Sequence, residues 1–206
     1  MERTFAEMRG ARVSSGRSWL CGLLLVACCL APTAWAEEGP RSEVEQALRA
    51  GLAILGDSSL QEDARIEGVR AVFLPLFDFP EMARRSLGAH WRRRTPEERQ
   101  EFTRLFGALL EKTYTSRIAG FRSQRVHFTG EEIDGRYAQV ETRIVDRKGR
   151  RFDLDYRLHR VEAAGKWLIY DIVIQDISLV NNYRAQFNRV INRSSYESLM
   201  AKLRAR

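Results

Sequence analysis

The chain has 206 residues, with 34 Lys or Arg against 27 Asp or Glu, a net charge of +7 and 44% apolar residues. These values suit one globular domain with a short appendage and exclude a wholly disordered chain. The three cysteines, Cys21, Cys28 and Cys29, fall in one N-terminal apolar run, which excludes a disulfide framework or thiol chemistry beyond Trp35.

That run reads as an export signal. Arg3, Arg9, Arg12 and Arg17 precede an apolar stretch from Trp19 to Leu30, shorter than the ~20 residues a membrane span needs. Pro32 breaks it, and Ala34-Trp35-Ala36 places small residues as a signal peptidase requires. Residues 1–36 are therefore expected to be a signal peptide cleaved after Ala36, and 37–206 a single domain. Cleavage removes four arginines, two glutamates and all three cysteines, leaving 170 residues with a net charge of +5. The alternative is a lipobox, Leu25-Val26-Ala27-Cys28, with Cys28 as a lipid-anchored first residue.

The next segment is predicted to be helical. Ser42 is expected to cap a first helix through Val44, Leu48, Leu52 and Leu55, ended by Gly56-Asp57. A second runs from about Ser59 to Leu74, stopped by Pro75. Asp78 caps a short third, closed by Gly88. Thr95-Pro96-Glu97-Glu98 is a capping box opening a long helix. Phe102, Leu105, Phe106, Leu109, Leu110, Tyr114 and Ile118 then form one wide apolar stripe, ended by Gly120.

The period then changes from helical to alternating. Four strands are predicted, Arg125–Thr129, Tyr137–Asp146, Arg151–Val161 and Trp167–Gln175, with turns at Lys148-Gly149 and Ala164-Gly165. Short turns make this an antiparallel meander. The fourth strand is apolar at nearly every position and is expected to be central. Two helices follow, one from about Ser178 and one around Tyr196 to Leu203. The predicted class is α+β, helices packed against a strongly twisted four-stranded antiparallel sheet in an NTF2-like cone that encloses an apolar cavity.

Catalytic signatures are missing. There is no G-x-S-x-G, P-loop, G-x-G-x-x-G or H-E-x-x-H motif. His90, His127 and His159 lack metal-ligand spacing. Asp153, Asp155 and Asp171 alternate along strands like ordinary surface carboxylates. The reading is of a protein that is not an enzyme and carries no metal or cofactor. Thirty of its basic residues are Arg, and the excess fits an anionic surface or an acidic protein partner, with no nucleic acid partner expected of an exported chain.

Phe77-Asp78-Phe79, Gly88, Trp91 and Thr95-Pro96-Glu97-Glu98-Arg99-Gln100 before a Phe/Leu helix ending in Thr113-Tyr114 resemble the MlaC/toluene-tolerance family. So do Asp155-Tyr156-Arg157-Leu158, Trp167, Tyr170-Asp171-Ile172-Val173, Ile177 to Arg184, Gln186-Phe187 and Tyr196-Glu197-Ser198-Leu199. The resemblance implies a periplasmic phospholipid carrier whose pocket holds acyl chains between helices and a twisted sheet. It would shuttle lipid between an outer-membrane lipoprotein complex and an inner-membrane ABC transporter with an MCE-type subunit. This traffic maintains outer-membrane lipid asymmetry; a related branch is associated with hopanoids.

On this reading the lipid-binding residues are Phe77, Phe79, Phe102, Phe106, Leu109, Leu110 and Tyr114 from helices. Val140, Ile144, Tyr156 and Ile172 are added from strands, subject to a register step that would invert each face. Arg147, Lys148, Arg150, Arg151 and Arg157 are the expected head-group or partner docking residues. Two other readings stay open: an enzyme on the same cone with His159 or Asp155 as base, and an adaptor that binds only protein.

Overall fold

Pro40 opens the first helix, because its fixed φ suits the first helical position and its missing N–H would have had no helical partner there. The computed structural model describes residues 39–118, 125–146 and 148–205. Among them lie six α-helices: α1 (Pro40–Gly56), α2 (Glu62–Phe73), α3 (Phe79–Leu87), α4 (Pro96–Ile118), α5 (Leu179–Arg193) and α6 (Tyr196–Arg204). Short 3-10 turns cover Leu74–Leu76 and Gly88–Arg93. The strands are β1 (Arg125–Asp134), β2 (Tyr137–Val145), β3 (Arg151–Val161), β4 (Lys166–Ile174) and β5 (Ile177–Ser178), paired antiparallel in the order β1-β2-β3-β4-β5. The segment read as a signal, including Cys28 and Ala36, lies outside the described residues, as does Arg147.

The chain is α+β as expected, with five strands in place of four. The expected cap Ser42 is instead inside α1, whose N-cap is Gly39, three residues earlier. The exposed N–H of Arg41 is satisfied across the fold by Glu131 Oε1 of β1, at 2.9 Å. Helix α2 starts at Glu62 behind Gln61, later than the expected start near Ser59 and with no side-chain cap, whereas the caps expected at Asp78 and Thr95 form. Asp78 Oδ1 accepts from Glu81 N at 2.9 Å. At α4 the Thr95 hydroxyl accepts from Glu98 N, and Glu98 Oε2 accepts from Thr95 N. That reciprocal box leaves fewer unpaired donors at the helix start. Ser178 and Ser195 cap α5 and α6.

The expected central position of β4 is not what forms. It lies next to the two-residue edge strand β5. Its apolarity has another cause. Arg157 pairs with Asp171 and Leu158 with Ile169, so Tyr170 is an extra residue in a bulge. The bulge swaps the alternation. Trp167 and Ile169 face inward before it, and Ile172 and Ile174 face inward after it. A second register shift lies between Phe128 and Gly130 in β1. Bulges of this kind add bend and twist to a sheet.

Two apolar cores result. One lies among α3, α4, α5 and α6, where Phe102 stacks on Phe106 with centroids 5.8 Å apart and both meet Phe187 edge-on at 5.5 Å. The other lies between α1 and the sheet and contains Val44, Val140, Leu158, Trp167 and Ile169. Asp171, on the opposite face of β4, is buried. It accepts from Ser178 Oγ, Val180 N and Arg157 Nη1, and so ties the start of α5 to the sheet.

Candidate functional site: an apolar cavity between helices and sheet

The two cores do not close on each other. Between them is a cavity of about 440 Å³, within the volume range of small-molecule sites. Helix α1 gives it Leu48, Gly51, Leu52 and Leu55, and α2 gives Val69, Arg70 and Phe73. Leu74, Phe77, Phe79 and Met82 follow from the next turn and α3; α4 gives Leu110, Glu111 and Tyr114. The sheet contributes Val126 from β1, Ile144 from β2, Phe152, Leu154 and Tyr156 from β3, and Ile172 and Ile174 from β4; Leu179 opens α5. Arg70 and Glu111 are the charged side chains of this lining among the described residues.

Local structure explains how so many large side chains leave a hollow. The α1–α2 pair packs closely at Gly51, where an added Cβ would stand 2.5 Å from the Phe73 ring. Phe73 can therefore lie against α1 and still reach the cavity. The Phe77-Asp78 segment docks beside β4, with Asp78 N donating to Ile169 O at 2.9 Å, and this sets Phe77 and Phe79 at the boundary between helices and sheet. Burial, reinforced by the Asp155 carboxylate, pushes the Tyr156 phenol far above its ordinary range. That side chain is a neutral wall residue at any physiological pH.

Of the residues expected from sequence, Phe77, Phe79, Leu110, Tyr114, Ile144, Tyr156 and Ile172 line the cavity. Four do not. Phe102, Phe106 and Leu109 lie in the helical core, because the first half of the α4 stripe is covered by α3, α5 and α6. Val140 is fully buried beneath α1 near Val44. Leu48, Leu52, Leu55, Val69 and Phe73 are lining residues that the reading did not single out. Their signal was present in the apolar stripes of the first two helices, which periodicity alone cannot distinguish from a filled core.

The docking residues separate too. Lys148, Arg150 and Arg151 are exposed at the β2–β3 hairpin. Asp146 shapes that turn, its Oδ1 accepting from the backbone N–H groups of Lys148 and Arg150 and its Oδ2 from Arg150 Nε. These bonds, led by the one from Arg150, hold the Asp146 carboxyl below its ordinary range. Ile144 and Phe152, which flank the hairpin in sequence and pair across it, line the cavity. Arg157 is different. It lies on the other face of β3 and holds Asp171 Oδ2 and Gln139 Oε1, each at 3.4 Å, so its guanidinium is a tie within the sheet.

Neither His159 nor Asp155 lines the cavity. His159 Nε2 is hydrogen-bonded to Asp78 Oδ2 at 2.8 Å. Asp155 is raised by burial and then by Glu141 beside it. Among the described residues no cluster of three or more His, Cys, Asp or Glu could hold a metal, and no helix is long and apolar enough to cross a membrane.

An α+β domain with an apolar hollow between its helices and its sheet is the class that fold and site define. The model of the MlaC protein family matches residues 45–205, and the chain belongs to that family. It is 21% identical over 138 residues to the intermembrane phospholipid transport system binding protein MlaC of Haemophilus influenzae. That alignment covers 66% of this chain and 64% of the relative, a little under two thirds of its length. Among solved structures, it resembles the phospholipid-binding protein from Ralstonia solanacearum in complex with a phospholipid. The TM-score is 0.70 with 27% identity, covering 80% of this chain and 94% of that one.

Proposed function

We propose that this protein is a periplasmic phospholipid carrier that holds acyl chains in the cavity between α1, α2, α4 and the sheet. The observation that carries this reading is the lining itself, with large apolar side chains from every layer around a space of about 440 Å³. Each acyl CH2 moved from water into such surroundings contributes about 0.8 kcal/mol. Affinity then needs contact area and no reactive group. The Ralstonia relative carries a phospholipid, and the Haemophilus relative bears the name of a phospholipid transport system, which supports the same cargo here.

A carrier must also be met at each membrane. The proposed partners are the inner-membrane ABC transporter with its MCE-type subunit and the outer-membrane lipoprotein complex. The exposed Lys148, Arg150 and Arg151, with Arg147 next to them in sequence, are the proposed contact to an acidic partner surface. The result would be maintenance of outer-membrane lipid asymmetry.

The direct test is to purify the protein without added lipid, extract it with organic solvent and identify the extract by mass spectrometry. Recovery of phospholipid near one molecule per chain is the expected result. An empty extract, together with no uptake from phospholipid vesicles, would refute the reading. Recovery of a hopanoid in place of phospholipid would move the chain to the hopanoid-associated branch.

A further inference from the structure

Strand β1 is an edge of the sheet, with β2 paired along one side of it. Among the described residues no backbone group outside β2 bonds to β1. Such an edge presents a row of N–H and C=O groups to a further strand, and natural edges are commonly short or charged to prevent this. β1 is ten residues long, and its charges are sorted by sign. Arg125 and His127 stand at its start, Glu131, Glu132 and Asp134 at its end, and all five are exposed. Ile133, among the acidic residues, is 53% exposed.

The bulge in β1 decides which of these residues share a face. Phe128 pairs with Thr142 and Gly130 with Glu141, so Thr129 is the extra residue. Val126 and Phe128 lie on the cavity side of the sheet before the bulge, and Glu131 and Ile133 lie there after it, opposite the core residues Val140 and Ala138. Arg125, His127, Glu132 and Asp134 take the other side.

We infer that β1 pairs antiparallel with β1 of a second copy, about a two-fold axis at Gly130. Arg125 then faces Asp134 of the second copy, His127 faces Glu132, Phe128 faces Glu131 and Val126 faces Ile133. Each opposed pair lies on one face of the sheet. In a strand without the bulge the same pairs would fall on opposite faces, because side chains alternate. The outer pairs join opposite charges and occur twice by symmetry. A parallel pairing would set Arg125 against Arg125 and the acids against the acids, which is repulsive. Gly130 on the axis has no side chain to hold the two strands apart. Val126 lines the cavity, so Ile133 of each copy covers the edge of the other's cavity wall and is itself buried. The two five-stranded sheets become one. This pairing goes beyond the carrier reading and does not depend on it.

The test is sedimentation equilibrium of the purified protein from about 1 μM to about 300 μM. The mass is expected to rise from that of one chain to that of two, and a one-chain mass throughout would overturn the inference. Arg125→Asp and Asp134→Arg change exposed side chains. Each alone sets like charges opposite one another in both symmetric pairs and should weaken association about tenfold or more, with circular dichroism verifying the fold. Mixed in equal amounts, the two variants should associate like the wild type. The altered side chain of each then meets the altered side chain of the other, and Arg125 of D134R meets Asp134 of R125D. Single variants that associate as the wild type does, or a mixture that stays as weak as its components, would overturn the pairing. Hydrogen exchange of the wild type supplies a reading without substitutions: amides of β1 should exchange more slowly at the higher concentration. Association with unchanged exchange in β1 would put the interface elsewhere and overturn it too.

Discussion

Asp78 joins two parts of the fold with its two carboxylate oxygens: Oδ1 caps α3 through Glu81 N at 2.9 Å, and Oδ2 meets His159 Nε2 of β3 at 2.8 Å. Its own N–H reaches Ile169 O of β4. One residue therefore fixes the start of α3 against two strands, with the cavity residues Phe77 and Phe79 on either side of it. Replacing Asp78 by Ala should cost about 2–4 kcal/mol, a cap plus a buried polar contact left unpaired. Asp78→Ser keeps a capping oxygen and should recover about 1 kcal/mol of that. Urea denaturation of both variants checks this; equal losses would show that the cap contributes nothing.

Cavity and core respond differently to added bulk. Phe106 and Leu109 are packed among α3, α5 and α6, so Phe106→Trp or Leu109→Trp should overpack that core and cost about 1–3 kcal/mol. Neither substitution should fill the cavity. Leu52→Trp and Ile172→Trp place the same indole in the hollow and should lower bound phospholipid with little loss of stability. Lipid per folded chain, measured beside the melting temperature, separates the two pairs. Full lipid occupancy in folded L52W and I172W would place the ligand elsewhere.

How far the sequence could be read follows from this contrast. The α4 stripe from Phe102 to Tyr114 is continuous in sequence, but its first half faces three helices and its end faces a hollow. Periodicity reports which side of a helix is apolar. It does not report what covers that side, so Phe102 and Leu110 look alike until the other elements are placed. The capping box at Thr95 and the span Arg151–Val161 are local features, and they were legible. The bulge at Tyr170 was not, because it depends on the pairing of β4 with β3. Arg157 reads as a free surface cation until Asp171 is brought beside it from another strand. Leu52 and Phe73 were hidden for the same reason as Phe102, in mirror image: each reads as ordinary core.

The close approach at Gly51 gives a prediction of its own. Gly51→Ala would put a methyl carbon 2.5 Å from the Phe73 ring. In mid-helix Ala is otherwise favoured over Gly by about 1 kcal/mol. The ring must move, and the cavity is the open space beside it. Lipid occupancy should fall, and the helix-propensity gain should offset part of the packing loss. A variant with raised stability and full occupancy would show that Phe73 moves freely and forms no fixed wall.

If the β2–β3 hairpin docks on a partner, it should act without touching cargo. Lys148→Glu with Arg151→Glu changes two exposed side chains and leaves the Asp146–Arg150 turn contacts in place. Lipid content after purification should be unchanged. Transfer to membranes containing the transporter should fall about tenfold or more if these charges steer the encounter, and the wild-type rate should drop with salt. Equal transfer by the variant would remove the hairpin from the docking surface.

Acid should weaken the molecule partly through Glu81. Burial alone would raise its carboxyl, but hydrogen bonds from Arg84 and Arg85 prevail and hold it at about 2, against an ordinary 4.5. The deprotonated form is the one the fold favours. Its contribution is therefore complete above about pH 4.5 and is lost as the pH falls from there towards 2. Glu81→Gln mimics the protonated side chain. The stability gap between wild type and variant should be widest at neutral pH and should shrink steadily below pH 4.5, with both proteins followed by urea titration at each pH. A gap that stays constant down to pH 3 would mean that the two arginines do not stabilise the carboxylate in the folded state.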